Sequence, residues 1–402
     1  MDVECVKQFS VELSQVMDDI GVNEEMKSLR RHVSLLMDRF ENIRWDGNKQ
    51  ITFGSQSEGS TTDEMMSDTD KLVYIENHLA CEHLSDCQDS KTNYIVLREP
   101  MSLPQCCCLQ LVRRCKRCDT FFPMNLISAT GSTDDRFIFD IKGRMLFNST
   151  FFFNTHLKHM DNPSFLRVRQ HGPACTCYHQ DFIYTIQCLT LPDNCRYLFK
   201  RPRPGHWPSH ETLLKAEQCC VYLGHPGVQG HRFGYDDERR VSFIQVQYEN
   251  KYIDSQFRMS TNMIERLLMF DLSIVQMKAY VITKMIRKVC LQPLVDERLS
   301  TFHMKTSLLF TIEQFPEDIW RDDNLVQCVI YCLNTLKRFL KRGYCPHYTI
   351  SSVNLFAGKL TKNELQILNE QVTQMVTSSL ICLRKLRMDS VGCRLSASSL
   401  GV

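Results

Sequence analysis

Apolar residues recur at helical spacing in the first long patterned segment, from about residue 24 to residue 40. They stand at i, i+4, i+7, i+8 and i+11, which is one face of an amphipathic helix. These positions are Leu29, Val33, Leu36, Met37 and Phe40. The other face carries Lys27, Arg30, Arg31, His32 and Arg39. The pattern predicts a long helix whose basic face is solvated or binds phosphate.

Two short β-type runs, at residues 51–53 and 71–75, bracket a polar segment rich in glycine, serine and threonine. This order predicts a strand, a loop and a second strand. Further strands and loops follow to about Tyr248. From about Asn250 the pattern changes to four consecutive segments with apolar residues at helical spacing, which predict a helical lobe.

These patterns together predict an α+β fold in two lobes. Residues 1–250 form a lobe with a twisted mixed sheet and a long flanking helix. Residues 251–389 form a helical lobe. Residues 390–402 are small and polar, which predicts a flexible tail.

The amino-acid composition excludes only a few classes of protein. The 402 residues carry a formal net charge of +2, so a nucleic-acid surface would have to be a local patch. The first residues lack the basic and apolar regions of a signal peptide, and no stretch has the roughly 18 apolar residues of a membrane span. We therefore expect no membrane span, a cytoplasmic or nuclear location, and 20 cysteines that are mostly small core residues rather than disulfides.

Candidate chemistry begins at Asp68 and Asp70. Side chains at i and i+2 of a strand point to the same face, so these carboxylates could share divalent cations. The Gly54-Ser55 pair precedes them after a β-type run. Glycine lets backbone N–H groups approach a triphosphate, and the Ser55 hydroxyl can donate to it. This combination resembles the signature of the DNA polymerase β-like nucleotidyltransferases.

A closer resemblance covers residues 10–365. Residues 53–62 and 67–70 resemble the active-site stretch of the Mab-21-like proteins and cyclic GMP-AMP synthase-like receptors of animals. Further matches follow in the family's order, at residues 103–105, 109–111, 171–174, 181–183, 207–209, 240–243, 299–306 and 346–348. The resemblance implies a polymerase β-like nucleotidyltransferase lobe followed by an HhH/H2TH-like helical lobe, with the active site in the cleft between them.

The family resemblance also implies a third metal-binding carboxylate on a neighbouring strand. Asp181 matches this position, because it heads an apolar run and follows a His-Gly-Pro-Ala stretch; Asp140 is the competing candidate. Three carboxylates suit magnesium or manganese ions that bridge an attacking hydroxyl and a triphosphate. The implied reaction joins ATP and GTP into a cyclic dinucleotide or a related product.

Four further positions carry over from the family as nucleotide contacts. Lys284 would meet triphosphate oxygens, and Phe302 would stack on a base. Arg240, with Ser242 beside it, would contact the nucleotide that accepts the first transfer. The alternatives are a surface lysine for Lys284, a core aromatic for Phe302 and a charged strand end for Arg240.

Departures from the family pattern leave a second interpretation open. Residues 244–247 are Ile-Gln-Val-Gln, where the family often has a serine and then an Ala-Glu pair. The alternative to an enzyme is thus a catalytically inactive regulatory or binding protein on the same fold. Residues 247–278 contain no histidine or cysteine, which predicts no zinc insertion there. Cys115 and Cys118 have zinc-like spacing, but no second pair is evident.

The resemblance implies activation by double-stranded nucleic acid in innate immune sensing. RNA, DNA and another trigger all stay open. Phosphate contacts need clustered lysine and arginine. The candidate clusters are residues 30–31, 113–117, 196–203 and 337–342. A simple nucleic-acid-binding module that uses only these basic faces is the third alternative.

Overall fold

The structure, a computed structural model, describes residues 3–44, 47–100, 102–125, 134–151, 169–171, 174–177, 180–227 and 254–398. Its helices are α1 (Val3–Asp19), α2 (Glu24–Arg44), α3 (Gly54–Glu58), α4 (Tyr197–Lys200), α5 (His210–Glu217), α6 (Asn262–Phe270), α7 (Ile274–Ile286), α8 (Gln292–Val295), α9 (Thr301–Gln314), α10 (Leu325–Arg342), α11 (Lys362–Thr377) and α12 (Val391–Ser398). Its strands are β1 (Asn48–Phe53), β2 (Thr69–Cys81), β3 (Thr92–Leu97), β4 (Cys106–Arg114), β5 (Phe121–Pro123), β6 (Phe137–Phe139), β7 (Met145–Phe147), β8 (Arg169–His171), β9 (Ala174–Cys177), β10 (Gln180–Cys188), β11 (Val221–Gly224) and β12 (Gln256–Ser260).

One mixed sheet contains these strands, in the order β1-β2-β3-β4-β12-β11-β10-β9-β8, with β5 and β7 on β4 and β6 on β7. Strand β2 runs parallel to both β3 and β10, and the other ladders are antiparallel. Strand β10 pairs with β2 as well as with β11, so the sheet also connects β10 directly to β2. The mixed α/β character predicted from the sequence is confirmed.

The cysteine-rich strand β4 lies in the middle of the sheet and explains part of the high cysteine count. Cys106, Cys107 and Cys108 are buried there, where small apolar side chains pack between neighbouring strands. All three are free thiols. Burial raises the pKa of Cys106 to about 11, so this thiol stays protonated at neutral pH.

The second half of the chain is helical after β12, as the spacing of its apolar residues predicts. Helices α7, α9 and α10 pack together, and most residues of α7 are buried. The amino-terminal helix α1 packs on α10 and α12 as well. Lys278 Nζ reaches back to Asp18 at 2.9 Å and to Ser14 at 2.7 Å. The first helix therefore lies against the carboxy-terminal helices in space.

The basic face of α2 is not a solvated or phosphate-binding face at Lys27 and Arg31, so both sequence interpretations are wrong there. Lys27 is buried. The Arg31 guanidinium donates to the carbonyl oxygens of Glu58 at 2.9 Å and Met269 at 2.7 Å. These carbonyls stand at the ends of α3 and α6, where helices leave acceptors unsatisfied. The arginine satisfies them, and the polar face of α2 holds the helix on the protein.

The described part of the predicted flexible tail is helical. Residues Val391–Ser398 form α12, and Val391 and Leu395 are buried against the core. Two apolar residues at i and i+4 suffice to seat this short helix. Within the described ranges, no helix has both the length and the apolar character needed to cross a membrane.

Candidate active site

Two of the predicted carboxylates meet where β2 and β10 run side by side. Asp70 is the second residue of β2, and Asp181 is the second residue of β10. The parallel register makes them direct partners across the ladder. Phe53, the last residue of β1, is the partner of Asp70 on its other side. The topology thus joins the polar loop after β1 and two distant acids at one end of the sheet.

The electrostatic environment of Asp70 is acidic and partly shielded from water. Burial, the Asp181 carboxylate and, more weakly, Glu58 and Asp68 raise the pKa of Asp70 to about 6, although Lys305 acts in the opposite direction. Asp181 accepts a hydrogen bond from Thr176 Oγ1 at 2.6 Å, which orients its carboxylate. A cation placed between the two aspartates would relieve this repulsion.

Asp68 is near enough to act on the charge of Asp70, but it does not share a strand face with it. Strand β2 begins at Thr69, so Asp68 precedes the strand and the i, i+2 alternation on which its prediction rests does not apply. Asp68 is exposed. Among the described residues, no group of three or more His, Cys, Asp or Glu side chains converges closely enough to hold a metal ion. The same finding covers Cys115 and Cys118, in the turn between β4 and β5.

Asp70 and Asp181 fit the chemistry of magnesium as far as two residues can. Magnesium and manganese prefer hard oxygen ligands, and magnesium usually binds through one or two carboxylates, several waters and substrate phosphates. Asp140, the competing third carboxylate, lies elsewhere and is engaged by Arg144, whose Nε donates to it at 2.6 Å. Between the two candidates, the structure brings Asp181 to Asp70.

Gly54 begins the polar loop directly above Asp70. Its φ is +77°, a conformation that residues with a Cβ atom rarely adopt. A Cβ atom at this position would lie 2.0 Å from Asp70 Oδ2. Both observations require glycine, and they explain why the Gly-Ser pair stands immediately after β1. The backbone at the start of α3 can therefore lie against the carboxylate.

Substituting Gly54 by alanine is expected to destabilise the protein more than the same change at Gly47. Gly47 has a similar φ of +82° but nothing within 4 Å of the added Cβ. Gly47→Ala therefore measures only the cost of placing a residue with a Cβ atom in the left-handed conformation, about 1–2 kcal/mol. Gly54→Ala also displaces the Asp70 carboxylate, which adds about 1–2 kcal/mol. Urea unfolding measures both, and the excess should shrink in an Asp70→Ala background. Equal losses at both glycines would contradict the close approach.

Lys284 lies inside the site and not on the surface. Its Nζ donates to Ser55 Oγ at 2.7 Å and to the Ser60 carbonyl oxygen at 2.8 Å. Burial lowers the pKa of Lys284 to about 7, and Lys305 acts in the same direction while Glu58 opposes it. The lysine of α7 therefore joins Ser55, near the start of α3, to Ser60, just beyond the end of α3.

A buried ion pair lies next to Lys284, and the sequence analysis does not predict it. Lys305 Nζ, on α9, lies 2.5 Å from Glu58 Oε1, and both side chains are buried. Burial lowers the pKa of Lys305, but Glu58 and Tyr280 raise it, and the net shift is upward. The signal in the sequence is a lysine within an otherwise apolar helical segment, since a buried charge needs a partner.

Of the remaining predicted nucleotide contacts, Phe302 packs on the core and the other two lie outside the described residues. Phe302 is partly buried at the start of α9 and packs on the core, with its ring 5.3 Å from that of His347. This placement agrees with the core-aromatic alternative. Arg240 and Ser242 fall within residues 228–253, which the structure does not describe.

Comparison with known families bears on the helical part of the chain. Residues 276–374 match the model of the Mab-21 protein HhH/H2TH-like domain. This segment is therefore similar to that domain. The match covers about a quarter of the chain and confirms the predicted resemblance to Mab-21-like proteins. The matched segment includes Lys284 and Lys305, the two lysines that reach the residues after β1. A comparison with curated proteins finds no match.

Proposed function

We propose that the chain is a metal-dependent nucleotidyltransferase that joins ATP and GTP into a cyclic dinucleotide or a related product. The observation that carries this proposal is the pairing of Asp70 with Asp181 under Gly54. A Mab-21 domain whose lysines contact the same loop supports it. Activation by double-stranded nucleic acid, and a role in innate immune sensing in the cytoplasm, belong to the same proposal.

The two aspartates would hold magnesium or manganese in this reaction. The metal would lower the pKa of the attacking hydroxyl and neutralise charge on the leaving pyrophosphate. Asp70 and Asp181 supply hard oxygen ligands, and Thr176 keeps Asp181 oriented. Burial and the neighbouring acids raise the pKa of Asp70 to about 6, which is below neutral pH, so the carboxylate would be available to a cation.

The loop and its lysine would receive the triphosphate. Backbone N–H groups after Gly54 and the Ser55 hydroxyl are donors for phosphate oxygens. Lys284 lies 2.7 Å from Ser55 Oγ, so it would reach the same oxygens. With a pKa of about 7 the amine is poorly stabilised as a cation, and an arriving triphosphate would favour its protonated form.

Pyrophosphate release tests this proposal. Purified protein is incubated with ATP, GTP and magnesium, with and without long double-stranded RNA or DNA, and products are identified by mass spectrometry. We expect release that disappears in Asp70→Ala and in Asp181→Ala. Asp193→Asn, which removes an exposed acid outside the site, serves as the control and should remain active. Release that persists without the two aspartates would contradict the proposal.

One observation favours the second candidate, a binding or regulatory protein without catalysis. Asp70 and Asp181 face each other across the ladder, but no group of three or more possible metal ligands converges among the described residues. Such a protein would bind nucleotide and never release pyrophosphate under any trigger. Titration with a fluorescent ATP analogue, run beside the release assay, separates the two: binding without turnover supports the non-catalytic protein.

A further inference from the structure

Two cysteines that are far apart in the chain meet near the loop that precedes β2. Cys290 lies in the π-helical turn Arg287–Leu291, which continues α7, and Cys382 lies in the short helical turn Ile381–Lys385, which follows α11. Their thiols are in hydrogen-bond contact, and both side chains pack against the core. Each is a free cysteine and only half-buried, so small solutes can reach the pair.

The contact between the thiols makes one of them reactive. The hydrogen bond with Cys382 lowers the pKa of Cys290 to about 7, although burial acts in the opposite direction. The same hydrogen bond raises the pKa of Cys382, and burial adds to this effect. The thiolate is the form of cysteine that attacks peroxides and disulfides. Cys290 is therefore the nucleophile at neutral pH, and Cys382 stays protonated beside it.

Two other pairs of thiols are built differently. Cys81 and Cys87 are also in hydrogen-bond contact, but burial raises the pKa of both, so neither supplies a thiolate at neutral pH. Cys115 and Cys118 meet within the turn between β4 and β5, and a bond there would join no separate parts of the fold. The pair on the helical segments combines a reactive thiol with a link across the structure.

The segments that carry this pair also hold the loop of residues 62–65. From the first turn, Lys288 Nζ donates to the carbonyl oxygen of Glu64 at 3.3 Å. Just beyond the second turn, Asp389 accepts from the Thr62 hydroxyl at 2.6 Å and from the backbone N–H of Glu64 at 3.1 Å. The loop is thus held by two segments of the chain that meet at the two thiols.

We propose that Cys290 and Cys382 are a redox-sensitive site that hydrogen peroxide converts to a disulfide, which joins the two segments that hold the loop of residues 62–65. The Cys290 thiolate first attacks the peroxide: an S–O bond forms, the O–O bond breaks, and the leaving hydroxide takes up a proton. Cys382 then loses its proton and attacks the Cys290 sulfur, so that an S–S bond forms and the sulfenic hydroxyl leaves as water. Two thiols and one peroxide yield one disulfide and two waters.

The disulfide restricts the loop by keeping its two holders together. Opening of the loop requires the turn that carries Lys288 and the segment that carries Asp389 to move apart, and a covalent link between them opposes this motion. An effect of the link on nucleotide transfer would rest on the proposed function. The formation of the disulfide and the mobility of the loop do not depend on that function.

Peptide mapping of the full chain tests the site. Reduced protein is treated with increasing hydrogen peroxide, the remaining thiols are alkylated in denaturant, and the unreduced digest is analysed by mass spectrometry. We expect a peptide pair linked through Cys290 and Cys382 at peroxide concentrations that leave Cys81 and Cys87 alkylated, and dithiothreitol should remove the link. Cys118→Ser takes one thiol from another pair and should keep the link.

Two serine variants separate the roles of the thiols. Cys382→Ser keeps a hydroxyl donor beside Cys290 but cannot form the disulfide, so a sulfenic acid should accumulate at Cys290 and react with dimedone. In Cys290→Ser, Cys382 should stay unmodified by dimedone at the same peroxide concentrations. The peptide map of the wild type tests the link even where a variant folds poorly.

Hydrogen–deuterium exchange of residues 62–65 tests the consequence of the link. We expect exchange at least about fivefold slower in the oxidised wild type than in the reduced wild type, and no such change in Cys382→Ser. Equal exchange before and after oxidation would overturn the connection to the loop. Peroxide that converts Cys290 to sulfinic acid without a link, or that links Cys81 to Cys87 first, would overturn the site itself.

Discussion

Replacing Lys305 by methionine is expected to lower the free energy of unfolding by about 3–5 kcal/mol, because it leaves a buried carboxylate without its counter-charge. Lys305 Nζ is 2.5 Å from Glu58 Oε1, and Glu265 lies buried nearby with a pKa that burial raises above its usual range. Methionine preserves most of the side-chain volume, so the loss reports the charge rather than a cavity. Urea unfolding at neutral pH measures it.

Two comparison variants make this result specific. Lys341→Met removes an exposed lysine at the end of α10 and should change stability by less than about 0.5 kcal/mol. Lys305→Met combined with Glu58→Gln removes both charges of the ion pair and should recover most of the lost stability. A double variant as unstable as Lys305→Met alone would show that the ion pair does not explain the effect.

Asp70→Asn is expected to stabilise the metal-free protein at pH 8 by up to about 3 kcal/mol while abolishing its proposed activity. The folded-state pKa of about 6 exceeds the ordinary value of 3.8, and each unit corresponds to about 1.4 kcal/mol. Because the shift is upward, the ionised carboxylate is penalised in the folded protein. This penalty is absent below pH 3.8, grows as the pH rises towards 6 and is complete above it.

Urea unfolding in a chelating buffer at several pH values measures this difference. The stabilisation should be largest at pH 8 and should fade as the pH is lowered towards 4. Asp193→Asn, at an exposed aspartate, controls for the loss of one negative charge. An Asp70→Asn variant that is less stable than the wild type at pH 8 would mean that Asp70 stabilises the fold rather than straining it. Magnesium should stabilise the wild type and not Asp70→Asn.

The positions of Asp70 and Asp181 show how much of the site the sequence can predict. A Gly-Ser pair, a strand with acids and the family's order of motifs were enough to select both aspartates. What they could not provide was the exact start of β2, which leaves Asp68 outside the strand. Strand boundaries depend on pairing with β1 and β10, and this pairing is a tertiary property.

The orientation of α2 shows what local periodicity cannot decide. The spacing of apolar residues correctly predicts the helix, yet periodicity does not say which face meets the protein. Here unsatisfied carbonyls at the ends of α3 and α6 attract Arg31, and Asp38 binds β1. The sequence does not predict the ion pair of Glu58 and Lys305 for a similar reason, because this 2.5 Å contact joins segments that are far apart in the chain.

The central claim is that Asp70 and Asp181 together hold one divalent cation beside the loop after β1. Electron paramagnetic resonance of free manganese, titrated with protein and a non-hydrolysable ATP analogue, tests it directly. We predict that the wild type removes manganese from solution and that Asp70→Asn and Asp181→Asn both lose this binding, whereas Asp140→Asn keeps it. Wild-type protein that leaves all manganese free, or binding that survives both substitutions, would contradict the claim.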